Sequence, residues 1–198
     1  MDIQFRFLEK ERAEEFLPQL FWILYANMNE IAPSGDSYEE DFAVWKEAVL
    51  PALKKEPRKI ILIYDEAAPL AVRTAAGGRR DEKLVGYFQY YVNDSVFMME
   101  EIQLLKAYHG SGLFQELYAF LAGVVPADTE YAEAYALKRN LKSQAVLRHL
   151  GLPIVGENQK RDAWHFRGSC REMFRRIAPG VARAGADHGY HESTAAGG

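Results

Sequence analysis

The stretch EIQLLKAYHGSGLF (residues 101–114) joins a strand-like apolar run to a helix-like one. After it, apolar side chains recur at helical spacing at Leu113, Leu117, Leu121 and Val124. Between the two runs lies GSG (residues 110–112), with no bulky side chain. A helix that begins directly after such a turn presents unpaired backbone N–H groups and the positive end of its dipole. The stretch therefore predicts an anion site, although tight packing or a positive φ would explain the same glycines.

Composition excludes several classes of partner. The chain has 198 residues with 24 Lys or Arg and 28 Asp or Glu, so its formal net charge is −4. Nucleic acid is not expected to bind, because phosphate binding needs a concentrated basic face. The apolar segment 16–28 is too short to span a bilayer and contains Pro18. The amino terminus is charged where a secretory signal would be apolar, so we expect a soluble, cytoplasmic protein with no membrane contact.

Cys170 is the only cysteine in the sequence. An internal disulfide is therefore excluded, and a reducing compartment is the simple interpretation. His149 and His165 have no companions at metal-binding spacing, so no metal site is predicted. Because Cys170 follows the last predicted strand, we expect it to lie outside the core.

The periodicity predicts one mixed α/β domain over residues 1–168. Strands are predicted at residues 2–7, 59–64, 84–92, 95–105, 130–137, 153–157 and 163–168, and helices at 10–28, from Ser37 onward, at 113–124 and at 140–152. The Asn93–Asp94 step favours a tight hairpin. Residues 66–83 are interpreted as a long exposed loop. Residues 169–178 form an extension that could be helical, and residues 179–198, small and polar, are expected to be a disordered tail.

The order of elements, the stretch at residues 101–114 and the later NLKSQAVLRHLGL (residues 140–152) together resemble the GNAT superfamily of acyl-CoA-dependent N-acyltransferases. In that family a strand with a glutamate leads into Arg/Gln-x-x-Gly-x-Gly/Ala, and a later helix begins Asn-x-x-Ala. The resemblance covers nearly all of residues 1–168. It implies an α/β fold with a central, mostly antiparallel sheet of about six to seven strands flanked by four helices. It also implies acetyl-CoA as co-substrate and no metal.

The resemblance further implies which residues hold coenzyme A. The diphosphate would lie on the main-chain amides of His109, Gly110, Ser111, Gly112, Leu113 and Phe114. The backbone of Leu104 and Leu105 would pair with the pantetheine arm like an added strand, where neighbouring strands splay apart. Asn140 matches the asparagine that contacts the cofactor arm, and Ser143 takes the usual alanine position.

Three positions depart from the family pattern. His109 stands where Arg or Gln is usual, Phe114 where a small residue is usual, and Leu147 where many relatives carry a tyrosine. Phe114 places bulk near the phosphate turn. Leucine cannot protonate a departing thiolate, so another group or water does so, or the thiolate leaves unassisted.

Glu101 is the candidate base. An alkylammonium has a pKa of about 10, so acyl transfer to an amine needs a proton acceptor. Glu101 matches the strand glutamate of the family, and we expect apolar neighbours to raise its pKa. In a regular strand Glu100 faces the opposite side, so only one of the two reaches the cleft unless a bulge exchanges them. Both carboxylates could instead be solvated or paired at a strand edge.

Two aromatic residues and one carboxylate are the candidate acceptor contacts: Tyr38, Tyr90 and Glu100. The leading hypothesis is an N-acetyltransferase that acetylates a primary amine of a small molecule or peptide by direct attack within a ternary complex. The alternative is a catalytically inert acyl-CoA-binding regulatory or interaction domain. The third hypothesis is a structural α/β domain in which the glycine turn occurs by chance. The acidic residues 36–41 either favour a cationic acceptor or simply begin a helix, and a homodimer is possible.

Overall fold

The computed structural model describes residues 1–54, 57–69 and 83–180. Seven strands occur in this part of the chain: β1 (Ile3–Phe7), β2 (Lys59–Asp65), β3 (Leu84–Asn93), β4 (Val96–Leu104), β5 (Tyr131–Leu137), β6 (Ile154–Glu157) and β7 (Ala163–Ser169). The α-helices are α1 (Ala13–Ile31), α2 (Tyr38–Leu53), α3 (Leu113–Ala122), α4 (Leu141–His149) and α5 (Cys170–Ile177). Most of the predicted loop at 66–83 and of the predicted tail from residue 179 lies outside the described residues.

The strands form one seven-stranded sheet in the order β1-β2-β3-β4-β5-β7-β6. Every neighbouring pair is antiparallel except β4 and β5, which run parallel. That parallel ladder extends only from the pair Val96 and Tyr131 to the pair Met99 and Ala134. Beyond it the sheet opens between residues 100–104 of β4 and residues 135–137 of β5. The predicted mixed fold with a mostly antiparallel sheet is confirmed.

Two hydrophobic layers cover the sheet, because side chains alternate between its faces. On one side, which we call the α1 face, α1 and α2 pack on Ile60, Leu62, Tyr64, Leu84 and Tyr87. On the other, the α3 face, α3 and α5 pack on Ile61, Ile63, Val85, Phe88 and Phe97. Strand β2 is therefore buried on both sides from Ile60 to Asp65, as its continuous apolar run predicts.

Helix α2 begins with the predicted reciprocal cap. The Glu40 N–H donates to Ser37 Oγ over 3.3 Å, and the Ser37 N–H donates to the Glu40 carboxylate over 2.9 Å. The β3–β4 hairpin turns one residue later than predicted, at Asp94 and Ser95. Both have left-handed φ values, 45° and 64°, which suit a two-residue turn between twisted strands.

Helix α5 lies in the extension at residues 169–178, for which the sequence analysis allows a helix, but it differs from that analysis in two respects. The described residues contain five α-helices rather than four, and Cys170 is fully buried in the core instead of lying outside it. Ser169 Oγ caps the helix by accepting the Glu172 N–H over 3.3 Å. Apolar side chains then follow at spacings of three and four, at Cys170, Met173, Phe174 and Ile177. Packing therefore continues past residue 168.

No helix in the described ranges is both long and apolar enough to cross a membrane. Within the same ranges, no three His, Cys, Asp or Glu side chains are grouped so as to hold a metal ion.

Position 86 of β3 requires glycine, because β4 approaches it closely. A Cβ at this position would lie 2.5 Å from the carbonyl oxygen of Gln103 and 2.5 Å from Leu104 Cδ2. We expect Gly86→Ala to lower the free energy of unfolding by about 1–3 kcal/mol, because the ladder must shift. Gly156→Ala in β6 meets open space and is the control. Urea unfolding measures both, and an equal loss in the two variants would contradict this account.

Candidate active site

A β-bulge in β4 places two adjacent carboxylates on one face of the sheet. Gln89 pairs with Glu101 and Tyr90 with Met99, so Glu100 is the extra residue. The Glu100 carboxylate accepts a hydrogen bond from Gln89 Nε2 over 2.9 Å, and Glu101 is in electrostatic contact with Tyr87. Tyr87 and Gln89 share the α1 face. The expectation that only one of the two carboxylates reaches this face is therefore wrong.

Glu100 is held in a bidentate ion pair. Arg58 Nε donates to Glu100 Oε2 over 2.5 Å, and Arg58 Nη2 donates to Oε1. These hydrogen bonds raise the pKa of the Arg58 guanidinium. With Gln89 as a third donor, the Glu100 carboxylate has fixed partners, which matches the alternative that this residue is paired near a strand edge.

Glu101 lies in a less polar setting. It is partly buried and accepts a hydrogen bond from Gln103 Nε2 over 3.1 Å. Burial raises the pKa of Glu101 to about 7, a hydrogen bond from Gln103 and the nearby Tyr87 hydroxyl act to lower it, and the charge of Glu100 raises it. A carboxylate with this pKa takes up and releases a proton near neutrality.

The backbone of β4 faces the sheet opening at alternate residues. The Leu105 N–H donates to the Val85 carbonyl over 2.8 Å, so it points to β3 and not to the opening. The prediction of Leu105 as a backbone partner of the pantetheine arm is wrong for this N–H group. Leu104 and Ile102 direct their backbone groups the other way. Ile102 was missed, although strand alternation alone would have identified it.

The Leu104 carbonyl already has partners. It accepts hydrogen bonds from Asn27 Nδ2 over 2.9 Å and from a ring nitrogen of His109 over 3.2 Å. Asn27 Nδ2 also donates to Gln103 Oε1 over 2.9 Å. Helix α1, the end of β4 and the glycine turn are thereby tied together beside Glu101.

The glycine turn has the predicted open geometry. Gly110 and Gly112 have φ values of +75° and +86°, and a Cβ at either would meet no atom within 4 Å. Backbone conformation, not crowding, therefore requires glycine at both positions. Gly112 is the N-cap of α3. Across the described residues, the amides of Gly110, Gly112, Leu113 and Phe114 find no acceptor, so four donors are available to an anion.

The side chains of this turn pack away from its amides or stabilise its backbone. Leu113 is buried in the core, and Phe114 stacks on Tyr118 with ring centroids 6.2 Å apart. Ser111 Oγ donates to the Tyr108 carbonyl over 2.8 Å. The bulk of Phe114 is thus directed along α3 and toward the core.

Solved structures share this architecture. An acetyltransferase from Thermus thermophilus matches with a TM-score of 0.59 and 14% identity, over 85% of this chain and 97% of that one. A GNAT-family acetyltransferase from Desulfovibrio desulfuricans matches with a TM-score of 0.55 and 12% identity, over 84% and 98%. The chain has the GNAT fold. The PaiA N-acetyltransferase from Thermoplasma acidophilum, in complex with coenzyme A, matches with a TM-score of 0.57 and 13% identity, over 85% and 99%.

Sequence comparison adds nothing to this fold assignment. No family model matches the chain, and no curated protein matches it.

The motif residues at the start of α4 and within it make contacts inside the protein. Asn140 Oδ1 accepts the Ser143 N–H over 3.0 Å and caps the helix. Leu147 is buried in the core on the side of α3 and α5. The contacts of Asn140 and Ser143 with a cofactor stay predictions.

Of the predicted acceptor contacts, Tyr90 is wrong. It is 2% exposed and packs with Phe88 and Phe97 on the α3 face, opposite to Glu101. The cause is strand alternation, because Gln89 points to the α1 face and its neighbour Tyr90 points away. Tyr38 packs between α1 and α2, with its ring 5.1 Å from that of Phe21, and its role stays a prediction.

A buried hydrogen bond fixes the start of the glycine turn. Tyr108 Oη donates to Asp65 Oδ2 over 2.7 Å, and Asp65 Oδ1 accepts the N–H groups of Asp2 over 2.8 Å and Ala67 over 3.1 Å. Burial acts to raise the pKa of Asp65, but these hydrogen bonds outweigh it and lower the pKa. The sequence analysis did not identify this pair, because its members lie 43 residues apart.

We expect Tyr108→Phe to destabilise the protein by about 1–3 kcal/mol, because Asp65 loses a hydrogen bond in a buried setting. Tyr131→Phe, which alters an exposed ring, is the control and should change stability little. Urea unfolding at pH 7 compares the two. A Tyr108 variant as stable as the wild type would show that the bond does not anchor the turn.

Proposed function

We propose that the protein is an N-acetyltransferase that transfers an acetyl group from acetyl-CoA to a primary amine. The observation that carries this proposal is Glu101, with a pKa of about 7, beside the opening between β4 and β5. The GNAT fold supports it, since the matched structures are acetyltransferases and one of them holds coenzyme A.

The residues present fit coenzyme A. The four unpaired amides of the glycine turn suit a diphosphate, because they lie at the positive end of the α3 dipole. The outward backbone groups of Ile102 and the outward N–H of Leu104 suit an extended arm lying along β4, whereas the Leu104 carbonyl already accepts from Asn27 and His109. Acetyl-CoA bound in this way would supply a thioester carbonyl close to Glu101.

Glu101 would accept the proton that the acceptor ammonium must lose before its nitrogen can attack. Its raised pKa suits this exchange, since a carboxylate with an ordinary pKa would be a weaker base at pH 7. The neutral amine would attack the thioester carbonyl directly within the ternary complex, the C–S bond would break, and the nitrogen would lose its second proton to water as the amide forms. No serine or cysteine nucleophile is needed. With leucine at position 147, water or another group would protonate the thiolate.

A catalytically inert acyl-CoA-binding domain is the second candidate. It is favoured by Leu147, which is buried and cannot donate a proton. The two candidates differ in one measurement. An inert domain binds coenzyme A without releasing free thiol when amines are added, whereas the enzyme does both.

The acceptor is proposed to be a small molecule or a peptide with a primary amine. Among the structural neighbours, a spermidine/spermine N-acetyltransferase from Vibrio cholerae matches with a TM-score of 0.51 and 10% identity, over 88% of this chain and 98% of that one. Its name supports small amines as the broad class.

We expect the rate of thiol release at subsaturating amine to rise as pH increases through about 7 and then level off, because Glu101 acts in its deprotonated form. Glu101→Gln should remove this step and lower turnover by about 10²–10⁴-fold. Initial rates measured from pH 5.5 to 9 test both.

Glu100→Gln is the matched control. Glu100 raises the pKa of Glu101, so its neutralisation should move the midpoint to lower pH while activity is retained. Calorimetry should give the same affinity for coenzyme A in all three proteins. A Glu101→Gln variant with the wild-type profile would exclude Glu101 as the base.

We expect Gly112→Ala to weaken binding of coenzyme A by about five- to thirtyfold. A side chain strains the left-handed conformation that aligns the amides by about 1–2 kcal/mol. Gly35→Ala is the matched control for Gly112→Ala, because Gly35 has a φ of +90° and equally open surroundings in the loop before α2. Titration calorimetry compares the two, and equal affinities would remove the diphosphate from this turn.

A further inference from the structure

Tyr135 lies directly across the sheet opening from the two carboxylates. Met99 and Ala134 form the last β4–β5 pair, so Glu100 and Tyr135 are the first residues beyond it on their strands. The alanines of β5 are buried in the core of the α3 face, and alternation places Tyr135 on the α1 face. Glu101 and Tyr135 therefore flank the same side of the opening.

The Tyr135 ring is exposed yet held in place. It is 48% exposed and stacks on the His165 ring, with centroids 4.5 Å apart and planes at 13°. His165 Nε2 lies 2.9 Å from an oxygen of Glu133, and Arg167 Nη1 donates to the other oxygen over 2.8 Å. Glu133 is itself buried. Its carboxylate therefore holds the His165 ring in place, and His165 in turn positions the Tyr135 ring. The result is a rigid aromatic surface beside the proposed reaction centre.

Of the three carboxylates described on this side of the opening, Glu100 and Glu133 have guanidinium partners, and the third is Glu101 itself. Arg58 pairs with Glu100, and Arg167 pairs with Glu133. Burial raises the pKa of the Tyr91 hydroxyl, and the negative charges of Glu100 and Glu133 raise it further, so Tyr91 lies near both pairs. Two carboxylates that are already matched by guanidinium groups offer little attraction to a chain of several ammonium groups. A flat ring, in contrast, can stack on the exposed face of Tyr135.

We infer, on the basis of the proposed function, that Tyr135 binds the acceptor and that the acceptor is an amine joined by a short linker to a planar ring. The ring lies against Tyr135 while the nitrogen reaches Glu101 across the opening. Tyr135 thereby selects a ring-bearing monoamine over a linear polyamine.

Steady-state thiol release with 2-phenylethylamine and with spermidine tests this assignment. The wild type should have the higher kcat/KM for 2-phenylethylamine. Tyr135→Ala should raise the KM for that amine by roughly two- to tenfold with kcat little changed, and Tyr135→Phe should restore it, because an aromatic pair contributes about 0.5–1.5 kcal/mol. The KM for spermidine should not change.

Tyr131→Ala is the matched control. Tyr131 lies on the same strand and face, is 39% exposed, and stands about 13 Å from Tyr135 along the strand, inside the paired part of the sheet. Equal effects of the two alanine variants, or a wild-type preference for spermidine, would overturn the role of Tyr135 but leave the proposed function intact. Coenzyme A binding without thiol release from any amine would overturn the proposed function as well.

Discussion

The bulge at Glu100 is the constraint on which the site depends. One extra residue in β4 bends that strand where its parallel pairing with β5 ends, and the sheet opens at the same point. It also brings two successive side chains to the α1 face, which a regular strand would separate. The gap and the groups beside it thus have one structural origin. Gly86 allows β3 to follow the altered strand closely, since any side chain there would collide with the β4 backbone.

Two adjacent carboxylates acquire different properties from their surroundings. Glu100 faces a guanidinium that stabilises its charge, whereas Glu101 is partly buried beside a tyrosine and an amide. The negative charge of Glu100 then makes ionisation of Glu101 harder still. Neighbouring acids in proteins commonly divide roles in this way, because their environments differ. Residue type alone would not distinguish them.

Much of the fold could be predicted because its determinants are local. Alternation identifies β1 and β5, a continuous apolar run identifies β2, and the reciprocal cap identifies the start of α2. Helix α5 was underestimated because it is short and carries charged residues between its apolar positions. The errors at Tyr90 and Leu105 arise from strand alternation, whereas the expectation for Glu100 failed because of the bulge. The direction in which a strand residue points depends on register, and a bulge changes register without a clear mark in the sequence.

Asp65 connects the first residues of the chain to the glycine turn. One carboxylate oxygen accepts the Asp2 amide, and the other accepts the Tyr108 hydroxyl. Asp2, which directly precedes the edge strand β1, is consequently a structural support of the turn. Loss of Asp2 together with Met1 would remove this contact, so the glycine turn is sensitive to a segment more than 100 residues away in sequence.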